Sequence, residues 1–295
     1  MTTIAIASGK GGTGKTTVAV NLCSLLNKKN IESCLLDCDV EEPNCHLFLK
    51  AEKKESRECY SYIPEIDRER CCACGKCVAV CEYKALAKAK STIILFPELC
   101  HACGSCELIC PNNAIQKGEK SIGILTTYET TGTLNFKEGL LKIREPLSPS
   151  LIRSVKNQEN VCSASRLTII DCPPGTACSM VAAVEGVDFV VMVTEPTLFG
   201  LHDLKLAVEV TKILGLPCGI IINKSCDNDE IIEGFTKKER IPILGKIPTD
   251  ENIARCCSRG SIVIDSFPAI KSIFENILRE IIKLTGTAIR KKLYF

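Results

Sequence analysis

Along the chain, short apolar runs alternate with longer stretches in which apolar residues return every three or four positions. Thr3–Ala7 (TIAIA) reads as a buried strand. Val18, Leu22, Leu25 and Leu26 then line one face of a helix from about Thr16 to Lys28. Further apolar runs end at Asp37 and Asp171, and VDFVVMV, PCGIII and IPILGKI read as later strands. Leu198–Leu214, Asp250–Arg259 and Ala269–Lys283 carry the helical period. Strand and helix signals in alternation predict an α/β fold built on a doubly wound, mostly parallel sheet.

The chain has 295 residues, enough for one large domain or two smaller ones, and 45% are hydrophobic. A net charge of only +2 gives no chain-wide argument for a nucleic-acid partner. The 21 cysteines are the outlier. Met1-Thr2-Thr3 leads straight into an apolar strand, without the basic segment or cleavage site of a secretory signal. The longest apolar runs, such as Val187–Val193, are too short to span a bilayer. The expectation is a cytoplasmic protein in a reducing compartment, where clustered thiols bind metal or carry out redox chemistry.

Between the first strand and the first helix lie Gly9, Lys10, Gly11, Gly12, Thr13, Gly14, Lys15, Thr16 and Thr17. The glycines let backbone N–H groups converge on phosphate oxygens, and the helix N-terminus adds partial positive charge. Lys15 is the candidate to reach the β- and γ-phosphates of ATP, and the Thr16 hydroxyl to bind Mg²⁺. A glycine turn before a surface helix is the plainer alternative, but it does not require the full GxxxxGKT spacing.

With its second lysine, GKGGTGKT resembles the deviant Walker motif of the MinD/ParA/Mrp ATPases, a group that includes the nitrogenase iron protein. The resemblance implies a P-loop NTPase fold and a dimer with itself or with a similar ATPase; slow hydrolysis without a partner is expected because no arginine finger stands out. It implies that Lys10 reaches the nucleotide of the opposite subunit; without it, Lys10 is a solvated charge. LLDCDVEEPN (Leu35–Asn44) resembles the switch I segment. Asp39 would then position the attacking water, and Asp37 would support the Mg²⁺ site or the loop. TIIDCPPGT (Thr168–Thr176) resembles Walker B and switch II, with Asp171 holding a Mg²⁺-bound water. Asn223 would read the adenine edge, and Pro248, in IPTDEN, would lie in the loop lining the base. On this reading Lys10, Lys15 and Asp39 are the catalytic candidates. On residue chemistry alone, the last two segments are ordinary turns.

One segment falls outside that resemblance. Cys71, Cys74, Cys77 and Cys81 are spaced C-x₂-C-x₂-C-x₃-C, and Cys100, Cys103, Cys106 and Cys110 repeat the spacing, followed by Pro111. This resembles the bacterial two-cluster ferredoxins, in which the fourth cysteine of each run ligates the other cluster. One [4Fe–4S] cluster would take Cys71, Cys74, Cys77 and Cys110, and the other Cys100, Cys103, Cys106 and Cys81. Gly75 and Gly104 would let the backbone approach the sulfides, and the fourth cysteine would sit on the short helix that follows. Paired zinc sites are the alternative, but zinc ligands come in pairs more often than in triplets with a crossing fourth. Glu82 stands where proline is common, and Cys72 is an extra thiol. The expected arrangement is a small α+β ferredoxin-like insert over residues 61–117, between two parts of one ATPase domain, 1–60 and 118–295. Two bound clusters would bring the formal charge to about −2.

The remaining cysteines read as small apolar residues. No C-x-x-C pair stands outside the insert, which argues against a third, bridging cluster. Ala288–Phe295 (AIRKKLYF) reads as a solvated helix end rather than a membrane anchor. The function expected is an ATPase that couples nucleotide state to electron transfer, toward a redox or metal-cofactor maturation protein. A cluster assembly or carrier ATPase and a MinD/ParA-like positioning ATPase are the alternatives. No nucleic-acid or membrane partner is expected.

Overall fold

The structure, a computed structural model, describes residues 2–157 and 165–286. Eleven strands are present among them: β1 (Thr2–Ala7), β2 (Ser33–Asp37), β3 (Glu52–Ile66), β4 (Leu86–Ala89), β5 (Thr92–Leu95), β6 (Ile115–Glu129), β7 (Leu134–Leu141), β8 (Leu167–Asp171), β9 (Phe189–Thr194), β10 (Cys218–Ser225) and β11 (Ile243–Pro248). Nine form one sheet in the order β11-β10-β9-β1-β8-β2-β7-β6-β3. The run from β11 to β7 is parallel; β6 and β3 then add on antiparallel.

The helices are α1 (Lys15–Lys28), α2 (Cys45–Leu49), α3 (Lys76–Val80), α4 (Ser105–Leu108), α5 (Ser148–Lys156), α6 (Cys178–Val184), α7 (Leu198–Ile213), α8 (Glu230–Glu239), α9 (Glu251–Ser258), α10 (Val263–Ser266) and α11 (Pro268–Thr285). Both sheet faces are covered, so the central strands are apolar throughout rather than alternating. Ile4 and Ile6 of β1 join the core with α1, α10 and α11, whereas Ala5 and Ala7 join the one under α5, α6 and α7. Strand parity assigns each residue to its layer.

The later strands and helices lie where periodicity predicts them, within a few residues. What the sequence reading did not anticipate is the far edge of the sheet. β3 and β6 pair along their whole length, from Glu52 with Glu129 to Ile66 with Ile115. This two-stranded ribbon carries the cysteine-rich module at its outer end, and residues 61 and 117 fall inside the ladder. α5 lies over β6 and β7 only because Gly123 and Gly139 leave room. A Cβ at Gly123 would come within 2.7 Å of Leu151, and one at Gly139 within 2.6 Å of Val155.

Phe136 on β7 is completely buried, and no smaller residue fills its space. Phe136→Ala is expected to cost about 3–5 kcal/mol in denaturant unfolding. Ile124→Thr, at a position 37% exposed on the neighbouring strand, should stay within about 0.5 kcal/mol.

Candidate functional site

β1 runs straight into the glycine loop, and α1 leaves it at Lys15. Gly12 and Gly14 hold φ of +75° and +95°, backbone that residues with a Cβ rarely adopt. Gly9 passes so close to α7 that a Cβ would stand 2.1 Å from the Asp203 carbonyl oxygen. The loop is braced from outside: Asn223 Nδ2 donates to the Thr13 carbonyl at 2.7 Å, and the Ser8 hydroxyl donates to the Lys10 carbonyl at 2.6 Å. Asn223 therefore stands at the end of β10 against the loop, and Pro248 ends the adjacent strand β11. Gly11, Thr16 and Thr17 fall where the motif puts them, at the loop and the first turn of α1.

Three strands deliver carboxylates to one level. Asp37 on β2 is in register with Asp171 on β8 and with Glu138 on β7. Asp37 is fully buried, and its two oxygens are spoken for. Oδ1 accepts from the Asp39 amide at 3.1 Å; Oδ2 accepts from the Asn44 and Cys45 amides, each at 3.0 Å. Its carboxylate thus shapes the loop between β2 and α2. Burial, then repulsion from Asp171, raises the Asp37 pKa well above the ordinary range. The Asp171 pKa is pushed up to about 6, chiefly by burial, against opposing contributions from Thr16 and Lys15. Burial and Asp171 likewise push Asp39 up to about 6. The Cys45 thiol donates to Asp171 Oδ2 at 3.4 Å.

Three polar atoms here are buried with no hydrogen-bond partner: Asp171 Oδ1, Asn44 Oδ1 and the Thr13 hydroxyl. A bound magnesium nucleotide would satisfy such groups, and the charge excess of the buried carboxylates calls for a cation. The residues present fit Mg²⁺ and a nucleoside triphosphate.

Lys10, the second lysine of the loop, lies 3.4 Å from Glu195, just past β9. Lys224 forms an ion pair with the same carboxylate and also donates to the Gly12 carbonyl at 3.3 Å. Burial pushes Glu195 up, but its lysine partners prevail and its pKa is lowered. Sequence reading missed Glu195 and Lys224, which are ordinary strand-end residues until the fold brings them beside the loop.

It also missed a second triad. His46 Nδ1 lies 2.7 Å from Glu138 Oε2, and the Tyr128 hydroxyl donates to Glu138 Oε1 at 2.9 Å. The His46 and Tyr128 rings are parallel. His46 follows directly on the Asp37 loop, and Tyr128 lies on β6, the strand that reaches the cysteine module.

In that module the eight cysteines separate into two hollows of similar size. Cys71, Cys74, Cys77 and Cys110 line one; Cys81, Cys100, Cys103 and Cys106 line the other. The backbone repeats as the sequence does. Ala73 and Ala102 both take positive φ, +49° and +57°, as do Gly75 and Gly104, and Lys84 and Asn113. Left-handed alanines at matching positions are strain of the kind found where a loop wraps a ligand. The Ala85 and Ala114 amides donate to Cys81 and Cys110 sulfurs at 3.3 and 3.2 Å. Four thiols per hollow with amide donors to sulfur fit a metal–sulfur group of the [4Fe–4S] type. One expectation is corrected: the short helices α3 and α4 carry the third cysteines, Cys77 and Cys106. Cys81 and Cys110 come after them, because each helix ends within two turns and the chain must turn back toward the other hollow. Cys72 is exposed.

A strand, a glycine loop cradling a helix N-terminus, and buried aspartates on neighbouring parallel strands define a P-loop nucleotide-binding protein. Residues 4–263 match the family of CobQ/CobB/MinD/ParA nucleotide-binding domains, and the chain belongs to that family. Its domain is an ATPase domain. A protein of Methanocaldococcus jannaschii is 34% identical over 280 residues, 93% of this chain and 95% of that one. The iron-sulfur cluster carrier protein of Pyrococcus horikoshii is 26% identical, over 92% of this chain and 83% of that one. Among solved structures, the septum site-determining protein MinD of Pyrococcus horikoshii, in complex with Mg-ADP, superposes with a TM-score of 0.60 at 21% identity. The match covers 97% of each chain and shows a shared fold. No helix among the described residues is long and apolar enough to cross a membrane. The Ala288–Phe295 tail lies outside the described residues.

Because the folded-state pKa of Asp171 is raised to about 6, its stabilising contribution is present below about pH 4 and lost as pH rises through 6. Asp171→Asn should therefore raise the melting temperature of nucleotide-free protein at pH 7.5, and raise it less at pH 5. The same variant should lose magnesium-dependent ATP hydrolysis. Thermal unfolding at the two pH values, with a phosphate-release assay, checks both.

Proposed function

We propose that this protein couples ATP binding and hydrolysis to electron transfer through two [4Fe–4S] clusters, toward a redox or metal-cofactor maturation protein. The observation that carries the reading is the sorting of the eight cysteines into two quartets, each completed by a cysteine from the other run. That crossing is what two-cluster ferredoxins require and what two independent zinc knuckles do not. When bound, the clusters would supply one-electron transfer. Cys71, Cys74, Cys77 and Cys110 would hold one, and Cys81, Cys100, Cys103 and Cys106 the other.

In the ATPase domain, Lys15 and the amides of Gly11 to Gly14 would grip the phosphates, and Thr16 with Asp171 would hold Mg²⁺. Asp39 orients the attacking water. Asn223, bonded to the Thr13 carbonyl, and Pro248, at the end of the next strand, would line the base. Lys10 leaves Glu195 to reach the nucleotide of a second subunit in a dimer, either of this chain or with a similar ATPase. Loss of the γ-phosphate releases the Asp39 segment and the Cys172–Gly175 turn. The segment after Asp39 leads to His46, whose bond to Glu138 ties it to Tyr128 on β6. A continuous set of contacts thus joins the nucleotide site to the strand that supports the cluster module.

A second reading, a carrier ATPase that assembles and delivers iron-sulfur clusters, is favoured by the likeness to the Pyrococcus carrier over 92% of this chain. The lack of a C-x-x-C pair outside the module argues against a labile cluster between subunits. Both readings place the protein in the cytoplasm.

Anaerobically purified protein is expected to hold about eight irons and to give [4Fe–4S] EPR signals when reduced with dithionite. The signals or their potentials should differ between ADP and a non-hydrolysable ATP analogue. His46→Ala should keep the iron and lose most of that difference. Zinc in place of iron would overturn the redox account. Clusters indifferent to nucleotide would overturn the coupling.

A further inference from the structure

The two halves of the cysteine module share a backbone but not a lining. His101, Ser105 and Tyr83 of one half stand where the other has Cys72, Lys76 and Asn112. The Cys71/Cys74/Cys77/Cys110 hollow is closed by Ile66, Ile93 and Ile115, and no side-chain hydroxyl lines it. The Cys81/Cys100/Cys103/Cys106 hollow is lined by Tyr62, Tyr83, His101 and Ser105. There the Tyr62 hydroxyl lies 3.9 Å from Cys106 Sγ, and Ser105 Oγ lies 3.5 Å from Cys103 Sγ. Tyr83 and His101 stack with centroids 3.8 Å apart.

Two further contributions are shared by both hollows. Each hollow has one amide donor to its crossing cysteine, from Ala114 in one and Ala85 in the other. Each has a lysine near its sulfurs. Lys76, beside Cys74, is exposed and screened by water. Lys120, near Cys100, is paired with Glu145 at 2.7 Å. The Cys72 thiol, a weak donor, bonds to Cys74 in the first hollow, and in the second the Tyr62 hydroxyl meets both Cys106 and Glu107; two hydroxyls against one thiol are the difference. Hydrogen bonds to ligand sulfur stabilise the more negative, reduced state and raise its potential.

Resting on the two-cluster reading above, we infer that the centres are unequal and that Cys81, Cys100, Cys103 and Cys106 hold the one that is reduced first. Tyr62 and Ser105 are the residues that set this order. An electron supplied by an external low-potential reductant, and passing through the Cys71/Cys74/Cys77/Cys110 side, comes to rest on the other side. That side adjoins the ATPase body. Ala102 packs into the core beneath α5, and Lys120 bridges the Pro97 carbonyl and Glu145. The electron is therefore held where nucleotide-driven movement of the ATPase domain is felt.

The test is an EPR-monitored redox titration of the anaerobic full-length protein, wild type and Tyr62→Phe/Ser105→Ala, with iron and sulfide measured on each. Two one-electron steps are expected in the wild type. The double variant should keep its iron, lower the higher-potential step and leave the lower one in place. A shift confined to the lower-potential step, or no shift in either, overturns the inference while leaving the clusters established. So does a single unresolved step that the variant does not split. A wild-type protein without [4Fe–4S] signals overturns the cluster reading itself, and the inference falls with it.

Discussion

Negative charge buried at the ends of three adjacent strands governs this structure. Glu138, Asp37 and Asp171 stand in register on β7, β2 and β8, all but sealed from water. Ionised carboxylates in such a place are costly unless hydrogen-bonded or paired with a cation. Each is accommodated differently. Glu138 takes bonds from His46 and Tyr128, and Asp37 takes three backbone amides. Asp171 keeps one oxygen without a partner. The first two fix the loop that follows β2; the third stays free to answer to a ligand. Structural and responsive roles are thus divided among chemically similar groups by what surrounds each one.

The antiparallel ribbon of β3 and β6 gives that arrangement its reach. It begins on the sheet beside Glu138 and ends in the cysteine module, so the two are joined by a hydrogen-bonded ladder with two register shifts rather than by a flexible linker. Fifteen residues in each strand make it long, and pairing along the whole length makes it stiff. The module's own core is small, formed by residues such as Ala73, Leu86, Ile93 and Ile115 with two of the cysteines. A core of that size needs a staple, and thiols gathered in two quartets are suited to hold one.

Much of the site was legible because its signals are local. GKGGTGKT, the strand-end aspartates and the doubled cysteine runs each need only a few neighbouring residues to be recognised. Glu195, Lys224, His46 and Tyr128 were not legible. Each is an ordinary residue in its own segment and acquires a role only through a partner far along the chain. Asp37 was half legible: its place after a strand marked it, but not that both oxygens face the loop.

Sequence by itself determined the parallel α/β core, the phosphate loop and the two evenly spaced cysteine runs, because hydrophobic period and motif spacing are properties of contiguous residues. Tertiary structure alone decided the nine-strand order, the ribbon that carries the module, and the ties of Lys10 to Glu195 and His46 to Glu138. It also decided which hydroxyls line which hollow. These depend on strand register and on crossovers between segments up to about two hundred residues apart, where pairing geometry, rather than local pattern, selects the neighbours.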